Sequence, residues 1–333
     1  MRLHIIIDFM HIYYKYFFQL RENKLKRLSS TIDGVEYDTS LVYYSIRDIE
    51  GIRKSLEKLG HEVTISICFD TKSKRKEANN DYKADRPNNL GESDFDNLVV
   101  IQDLLRAVGY NTYKVEGYEA DDIINYLVRK YSDNYDYNII YTNDKDLLIN
   151  IKDNVGVMRF KQYKGYTQVD INNYEPYLEQ EFKVFIPYNM LGLYLASVGD
   201  SADKIKGIHK FGPKAFSKLL TKVMSTSTVD MKACGNYGEL KKIIDECSKY
   251  LTSEQFEQLI DSFNLVSNIE LDEDIKEPCK VDSYQSRAKA YEVYSFNSLV
   301  QWEITVLKFY VTYSTSNINP YYNIYKNVLN KIN

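Results

Sequence analysis

The chain has 333 residues, of which 44% are hydrophobic and 27% charged, with a formal net charge of −4. This is the composition of a globular protein able to bury a sizeable core in one large domain or two smaller ones. The most hydrophobic N-terminal segment, Leu3 to Phe18, is broken by Asp8, His11 and Lys15, which excludes a signal peptide and a membrane helix. The cysteines Cys68, Cys234, Cys247 and Cys279 show neither paired nor zinc-ligand spacing, so reduced thiols in a cytoplasmic protein are expected and a structural zinc is not. A negative balance does not exclude a nucleic-acid partner, because a carboxylate-rich metal site lowers the total while basic residues cluster elsewhere. The 31 tyrosines, interleaved with lysines, suit packing first and base stacking second.

Short β-branched runs alternate with longer helical patterns through the first half. Leu3–Asp8, Val63–Asp70, Asn111–Val115, Asn138–Thr142 and Val155–Phe160 read as strands. Between the first two, Val42, Ile46, Ile49, Ile52 and Leu56 share one face of a helix over Leu41–Leu59. A second helix is expected from about Asp94 to Ala107, closed by Gly109, and a third from about Glu119, with Ile123, Ile124, Leu127 and Val128 inward. The alternation predicts an α/β fold with a mainly parallel, PIN-like sheet flanked by helices. From Pro187 the pattern becomes helical: Met190–Val198, then two short helices around the glycine turn Gly207–Lys214, then amphipathic helices over Tyr237–Tyr313.

Acids fall where such a fold places its crevice, beyond the carboxyl ends of the strands. Asp8 ends the first strand and Asp70 the second. Glu119, Asp121 and Asp122 follow the third, and Asp144 and Asp146 the fourth, while Asp200 and Asp203 follow the helix ending at Val198. Clustered carboxylates need compensation, and hard divalent ions such as Mg²⁺ or Mn²⁺ take oxygen ligands of this kind. No Ser-His or Cys-His arrangement competes as nucleophile, so a bound water is the expected attacker on a phosphodiester.

Two basic features accompany the acids. Lys72, Lys74, Arg75 and Lys76, followed by Asp81-Tyr82-Lys83-Ala84-Asp85-Arg86-Pro87, suit a loop or arch over the acidic edge that grips phosphates. Lys204, Lys206, Lys210, Lys214 and Lys218 surround the Gly207 and Gly212 turn, where backbone amides can approach a duplex without reading its sequence.

Ile5-Ile6-Ile7-Asp8, Cys68-Phe69-Asp70, Asp81 to Pro87, Gly117-Tyr118-Glu119-Ala120-Asp121-Asp122, Thr142-Asn143-Asp144-Lys145-Asp146-Leu147 and Val198-Gly199-Asp200-Ser201-Ala202-Asp203 occur in an order that resembles the flap endonuclease and 5′-3′ exonuclease family. That family includes phage ribonuclease H and the N-terminal exonuclease domain of bacterial DNA polymerase I. Gly207–Lys214 resembles its helix-three-turn-helix duplex-binding motif. The resemblance implies a two-metal phosphodiesterase in which Asp8, Asp70, Glu119, Asp121 and Asp144 build the tighter site. Asp122, Asp146, Asp200 and Asp203 would shape the second. It also implies that Lys83 and Arg86 stand at the base of a helical arch (about 71–95) near the scissile phosphate, with Lys83 stabilising developing charge. Gly207, Ile208, Phe211 and Gly212 would hold the duplex backbone, with K⁺ at the turn in some relatives.

The implied organisation is a nuclease domain over 1–186 and a helical duplex-binding region over 187–333, with its turn motif over about 190–222. The implied substrates are branched or 5′-ended DNA and RNA/DNA hybrids, the latter through an RNase H activity. The expected setting is a monomeric, phage-encoded protein of the host cytoplasm, free of membrane and acting with a replication single-strand-binding protein or clamp. Thr71 to Asn80 departs from the family pattern, and His209-Lys210 replaces small or apolar residues within the turn. A binding protein that kept the fold and lost turnover is the alternative, as is a small PIN-like RNA-cleaving enzyme. The complete acid set argues against the first, and the lysine-bearing turn against the second.

Overall fold

The computed structural model describes residues 1–32, 35–38, 40–75, 82–83, 98, 101–102, 105, 110–161, 165–226 and 237–266. Most of the expected arch, most of the helix from Asp94 to Ala107, and all expectations beyond residue 266 lie outside the described residues. The described chain falls into two compact units. The first holds residues 1–69 with those of 88–114, and the second holds those of 70–87 and of 115–266.

In the first unit, Arg2–Asp8 forms strand β1 with residues 3 to 7 all buried. Such a mostly apolar run suits a parallel strand covered on both faces. Its one polar intruder, His4, is matched by Ser66 Oγ, 2.7 Å from His4 Nε2. The chain passes directly into helix α1 (Phe9–Arg21), whose N-cap is Asp8, accepting from the His11 amide at 3.4 Å. A hairpin of β2 (Ser29–Ile32) and β3 (Val35–Asp38) follows, then α2 (Ser40–Lys58), which buries Val42, Ile46, Ile49 and Ile52. α1 and α2 pack through Tyr16 on Tyr44, with ring centroids 5.5 Å apart, and through Lys15 and Asp48 at 2.8 Å.

Strands β4 (Glu62–Cys68) and β5 (Asn111–Tyr113) complete this unit's part of the sheet, in the order β5-β4-β1 and all parallel. The register pairs Arg2 with Glu62 and Asp8 with Cys68. Asp8 therefore stands at the carboxyl end of β1, level with Cys68 at the end of β4. Cys68 is buried and unbridged, as is Cys247 in the second unit, while Cys234 and Cys279 lie outside the described residues.

The second unit opens with α3 (Ala120–Tyr131), followed by β6 (Tyr137–Tyr141) and a 3-10 turn over Asp146–Asn150. β7 (Val155–Lys161) runs parallel to β6, and β8 (Gly165–Val169) runs antiparallel to β7. The helices are α4 (Tyr174–Phe182), α5 (Leu191–Val198), α6 (Pro213–Thr226), α7 (Tyr237–Cys247) and α8 (Ser253–Val266). α5 is buried over residues 191 to 197 and packs on α6, α7 and α8, which explains its lack of a polar face. Across both units the fold is α/β with a mainly parallel arrangement of strands. Among the described residues no helix is long and apolar enough to cross a membrane.

The link from α5 to α6 depends on two glycines in the left-handed region, Gly199 at φ +88° and Gly207 at φ +66°. A Cβ on Gly199 would come within 2.6 Å of the Ile205 carbonyl oxygen, and one on Gly207 within 2.5 Å of the Gly199 nitrogen. Between them Asp200 and Ile205 exchange both backbone hydrogen bonds at 2.8 Å, and the Ile208 amide donates to the Ser197 carbonyl at 2.8 Å. Residues 200 to 206 therefore form a closed loop whose two ends touch backbone to backbone.

Gly207→Ala is expected to lower stability by about 3 kcal/mol, since backbone must move to admit the methyl group. Gly51→Ala should stabilise by about 1 kcal/mol, because Gly51 lies inside α2 with open space around its Cβ position. Urea unfolding of the two variants checks both signs.

Candidate active site

Four segments of the second unit carry acids: Asp70, the start of α3, the turn after β6, and the loop after α5. Asp70 is exposed, and its Oδ1 accepts the Ala120 amide at 2.7 Å, so a carboxylate anchors the positive end of α3. Glu119 is the N-cap residue of α3, and its own amide donates to Asp122 Oδ2 at 3.0 Å. Asp144 accepts the Asp146 amide at 2.9 Å, and Asp200 accepts the Ala202 amide at 3.0 Å. Asp200 and Asp203 are buried.

Basic side chains divide these acids into two groups. Arg75, almost fully buried, bonds Asp122 through Nη2, and its Nη1 lies 3.2 Å from Glu119 Oε2 and 3.0 Å from the Tyr82 hydroxyl. The Tyr82 hydroxyl donates to Glu119 Oε2 at 3.1 Å. Lys83 reaches Glu119 Oε1 at 2.9 Å and Asp203 Oδ2 at 3.7 Å, which joins this group to the other. In the second group Lys145 pairs with Asp200 at 2.9 Å, beside Asp144 and Asp146. Burial works to lower the Lys83 and Arg75 pKa values, yet the surrounding carboxylates hold both above their ordinary ranges.

Several of the predicted residues have partners within the protein. Asp122 is fully buried, one oxygen on Arg75 and the other on the Glu119 amide. Arg75 and Tyr82, expected to face nucleic acid, are buried within the first group, because ordered carboxylates at the start of α3 offer a guanidinium more than solvent does. The Gly207 amide, expected to meet phosphate, donates to Ser262 Oγ at 3.1 Å, and the His209 amide to Gln258 Oε1 at 2.9 Å. α8 thus satisfies this part of the turn from within. Removing one partner of a buried pair such as Arg75 and Asp122 typically costs about 3–5 kcal/mol.

The other predicted residues differ in exposure. Lys72, Lys206, Lys210, Lys214 and Lys218 are exposed, and Lys204 and Gly212 half-buried. Lys74 lies over the Tyr118 ring at 4.5 Å and is bonded to its hydroxyl at 3.2 Å. Lys76 and Arg86 lie outside the described residues. Lys145, with aspartates on both sides, and the α8 pair Ser262 and Gln258 were missed by the sequence reading; only Lys145 carried a local signal.

Among the described residues no three carboxylate, imidazole or thiolate groups converge on one point suited to a metal ion. The second group is nevertheless short of positive charge. Asp146 Oδ1 is sealed from solvent with no hydrogen-bond partner. Its carboxyl is pushed up to about 8, first by burial and then by Asp144, Asp200 and Asp203, with Lys145 opposing. A hard divalent cation is the charge that such an oxygen set lacks, so the residues present fit one.

A carboxyl whose pKa is raised on folding weakens the fold as pH rises from its ordinary value of 3.8 toward about 8. In chelator, Asp146→Asn is therefore expected to match the parent near pH 4 and to exceed it in stability at pH 8. Thermal unfolding at several pH values, with EDTA or Mg²⁺, checks this, and Mg²⁺ should stabilise the parent more than the variant.

The family of 5′-3′ exonucleases, through the description of its N-terminal resolvase-like domain, matches residues 3–178. A 5′-3′ exonuclease of Aquifex aeolicus is 30% identical over 227 residues, covering 67% of this chain and 71% of that one. A DNA polymerase I of Treponema pallidum is 31% identical over 139 residues, 42% of this chain but only 13% of the polymerase. The crystal structure of the bacteriophage T5 D15 protein with metal ions superposes with a TM-score of 0.54 at 14% identity, over 99% of both chains, which shows a common fold. With the family pattern matched over more than half its length, this chain belongs to the 5′-3′ exonucleases, hydrolases of phosphodiester bonds.

Proposed function

We propose that this 5′-3′ exonuclease is structure-selective, cutting branched or 5′-ended DNA, including 5′ flaps, with two divalent ions, Mg²⁺ or Mn²⁺. The observation that carries the reading is the meeting of two carboxylate groups from separate segments with Lys83 bonded into both. The T5 D15 protein, alike in fold, is described as a flap endonuclease in complex with DNA and metal ions, which supports the substrate class. RNA/DNA hybrids are proposed as a second substrate.

Asp8, Asp70, Glu119, Asp121 and Asp144 would hold one ion, and Asp122, Asp146, Asp200 and Asp203 would shape the site of the other. When bound, such ions activate a water for attack and neutralise charge on the scissile phosphate. Lys83 would meet charge developing on that phosphate, and Arg86 is its proposed companion at the base of the arch. Lys72, Lys74 and Lys76 would grip the 5′ strand. Lys204, Lys206, Lys210, Lys214 and Lys218, with the amides at Gly212 and the start of α6, would hold the duplex backbone. The turn at Gly207, Ile208, Phe211 and Gly212 is proposed to take K⁺, which would add positive charge toward a duplex backbone. The nuclease portion is proposed to extend to about residue 186 and the duplex-binding portion from 187 to 333, in a monomer that works with a clamp or single-strand-binding protein.

On a 5′-flapped duplex, cleavage near the junction should require Mg²⁺ or Mn²⁺; cutting in EDTA, or none with either ion, would sink the reading. Asp144→Asn should lower the cleavage rate by about a hundredfold or more while duplex binding stays close to that of the parent. Lys214→Ala should weaken binding and reduce the slope of log K against log salt by about one, the signature of one lost phosphate contact. Parallel substrates with RNA in the 5′ strand distinguish hybrid from DNA cutting.

A further inference from the structure

We propose that Lys83 is the resident counter-cation of this acidic site, holding carboxylate oxygens that a divalent ion needs. Loading the ion and freeing Lys83 for the substrate phosphate would then be one coupled event. The inference rests on the metal-dependent reading above and assigns Lys83 a role before substrate arrives.

Its geometry is that of a plugged ligand set. The ammonium sits 2.9 Å from Glu119 Oε1 and 3.7 Å from Asp203 Oδ2, with the side chain only 11% exposed. It lies 4.9 Å from the centroid of the buried Tyr82 ring, whose hydroxyl occupies the other Glu119 oxygen. Glu119 and Asp203 belong to different acid groups, so a single lysine bridges both. The main chain is also committed: Lys83 has φ +52°, and its amide donates to the Asp203 carbonyl at 3.3 Å. With its backbone so pinned, the ammonium can leave by rotation of its own stem.

Arg75 provides the contrast. Its planar guanidinium is divided among Asp122, Glu119 and Tyr82, a forked arrangement that one displaced contact does not undo. Lys83 is a point charge on a flexible chain, and a divalent ion on the same carboxylates repels it. By linkage, whatever factor the ion contributes to freeing Lys83, removal of Lys83 contributes to binding the ion.

The test is Mn²⁺ titration calorimetry on the full chain, with the parent, Lys83→Ala and Lys83→Arg. Lys83→Ala should bind its first Mn²⁺ about tenfold or more tighter, the size of one charge-assisted contact no longer given up. Lys83→Arg should bind it no tighter than the parent, as it keeps the charge and adds a fork that holds carboxylates more firmly. A second measurement uses the unmodified protein: acetylation of Lys83 by an activated ester, read by peptide mass spectrometry, should speed up severalfold on adding Mg²⁺, with exposed Lys218 unchanged. Unchanged or weaker Mn²⁺ binding by Lys83→Ala, or acetylation of Lys83 that does not rise, would overturn the proposal. A parent that binds no Mn²⁺ at all would instead remove the metal-dependent reading beneath it.

Discussion

Like charges crowded into one compact unit must be separated, paired or neutralised, and this repulsion organises the second unit of the molecule. Asp70, Glu119, Asp121, Asp122, Asp144, Asp146, Asp200 and Asp203 are all in that unit. Two means of compensation are visible. Backbone amides take some of the charge, as at Asp70 and Asp144. Cationic side chains take more, through Arg75, Lys83 and Lys145. The remainder is left standing at Asp146, whose sealed oxygen marks where the protein's own charges stop short. On the metal-dependent reading proposed above, this imbalance is what a divalent ion would relieve.

The two basic features read from the sequence turn out to do unlike things. Arg75 and Lys83 face inward and belong to the acid groups, whereas Lys206, Lys210, Lys214 and Lys218 face solvent. The outward set is carried by the same link that presents Asp200 and Asp203. The backbone contact of Gly199 with Gly207 therefore fixes the distance from the acids to the lysines that follow. On the proposed reading, a duplex held at the turn would lie at a set reach from these acids, without a separate ruler.

Much of this architecture was readable from local pattern. The strands predicted from Leu3, Val63, Asn111, Asn138 and Val155 occur as β1, β4, β5, β6 and β7, with starts shifted by at most one residue. Acids at strand ends were readable because β-branched runs stop sharply at Asp8 and shortly before Asp70 and Asp144. What escaped was non-local or ambiguous. The hairpin of β2 and β3 is short and polar, β8 pairs antiparallel with a neighbour, and α1 hides its helical period among aromatics. Arg75 lay in a basic run, where periodicity cannot tell a solvated charge from one buried against Asp122, 47 residues later. The bonds from Ser262 and Gln258 to the turn amides span 55 and 49 residues and leave no trace in local composition.

The small rings closed at Asp144 and Asp200 have a bearing on which residue types the site tolerates. Each carboxylate accepts the amide two residues ahead, a closure that suits the one-methylene stem of aspartate. Glutamate could still present two oxygens to an ion, but its longer stem would have to abandon that closure and regain several rotamers. The choice of Asp over Glu at these positions is then a matter of entropy rather than of ligand chemistry, for the oxygens are aimed before anything arrives. Glu119, the exception, is steadied instead by Lys83, Tyr82 and Arg75. The site thus holds its longer acid by neighbours and these two shorter ones by their own backbone.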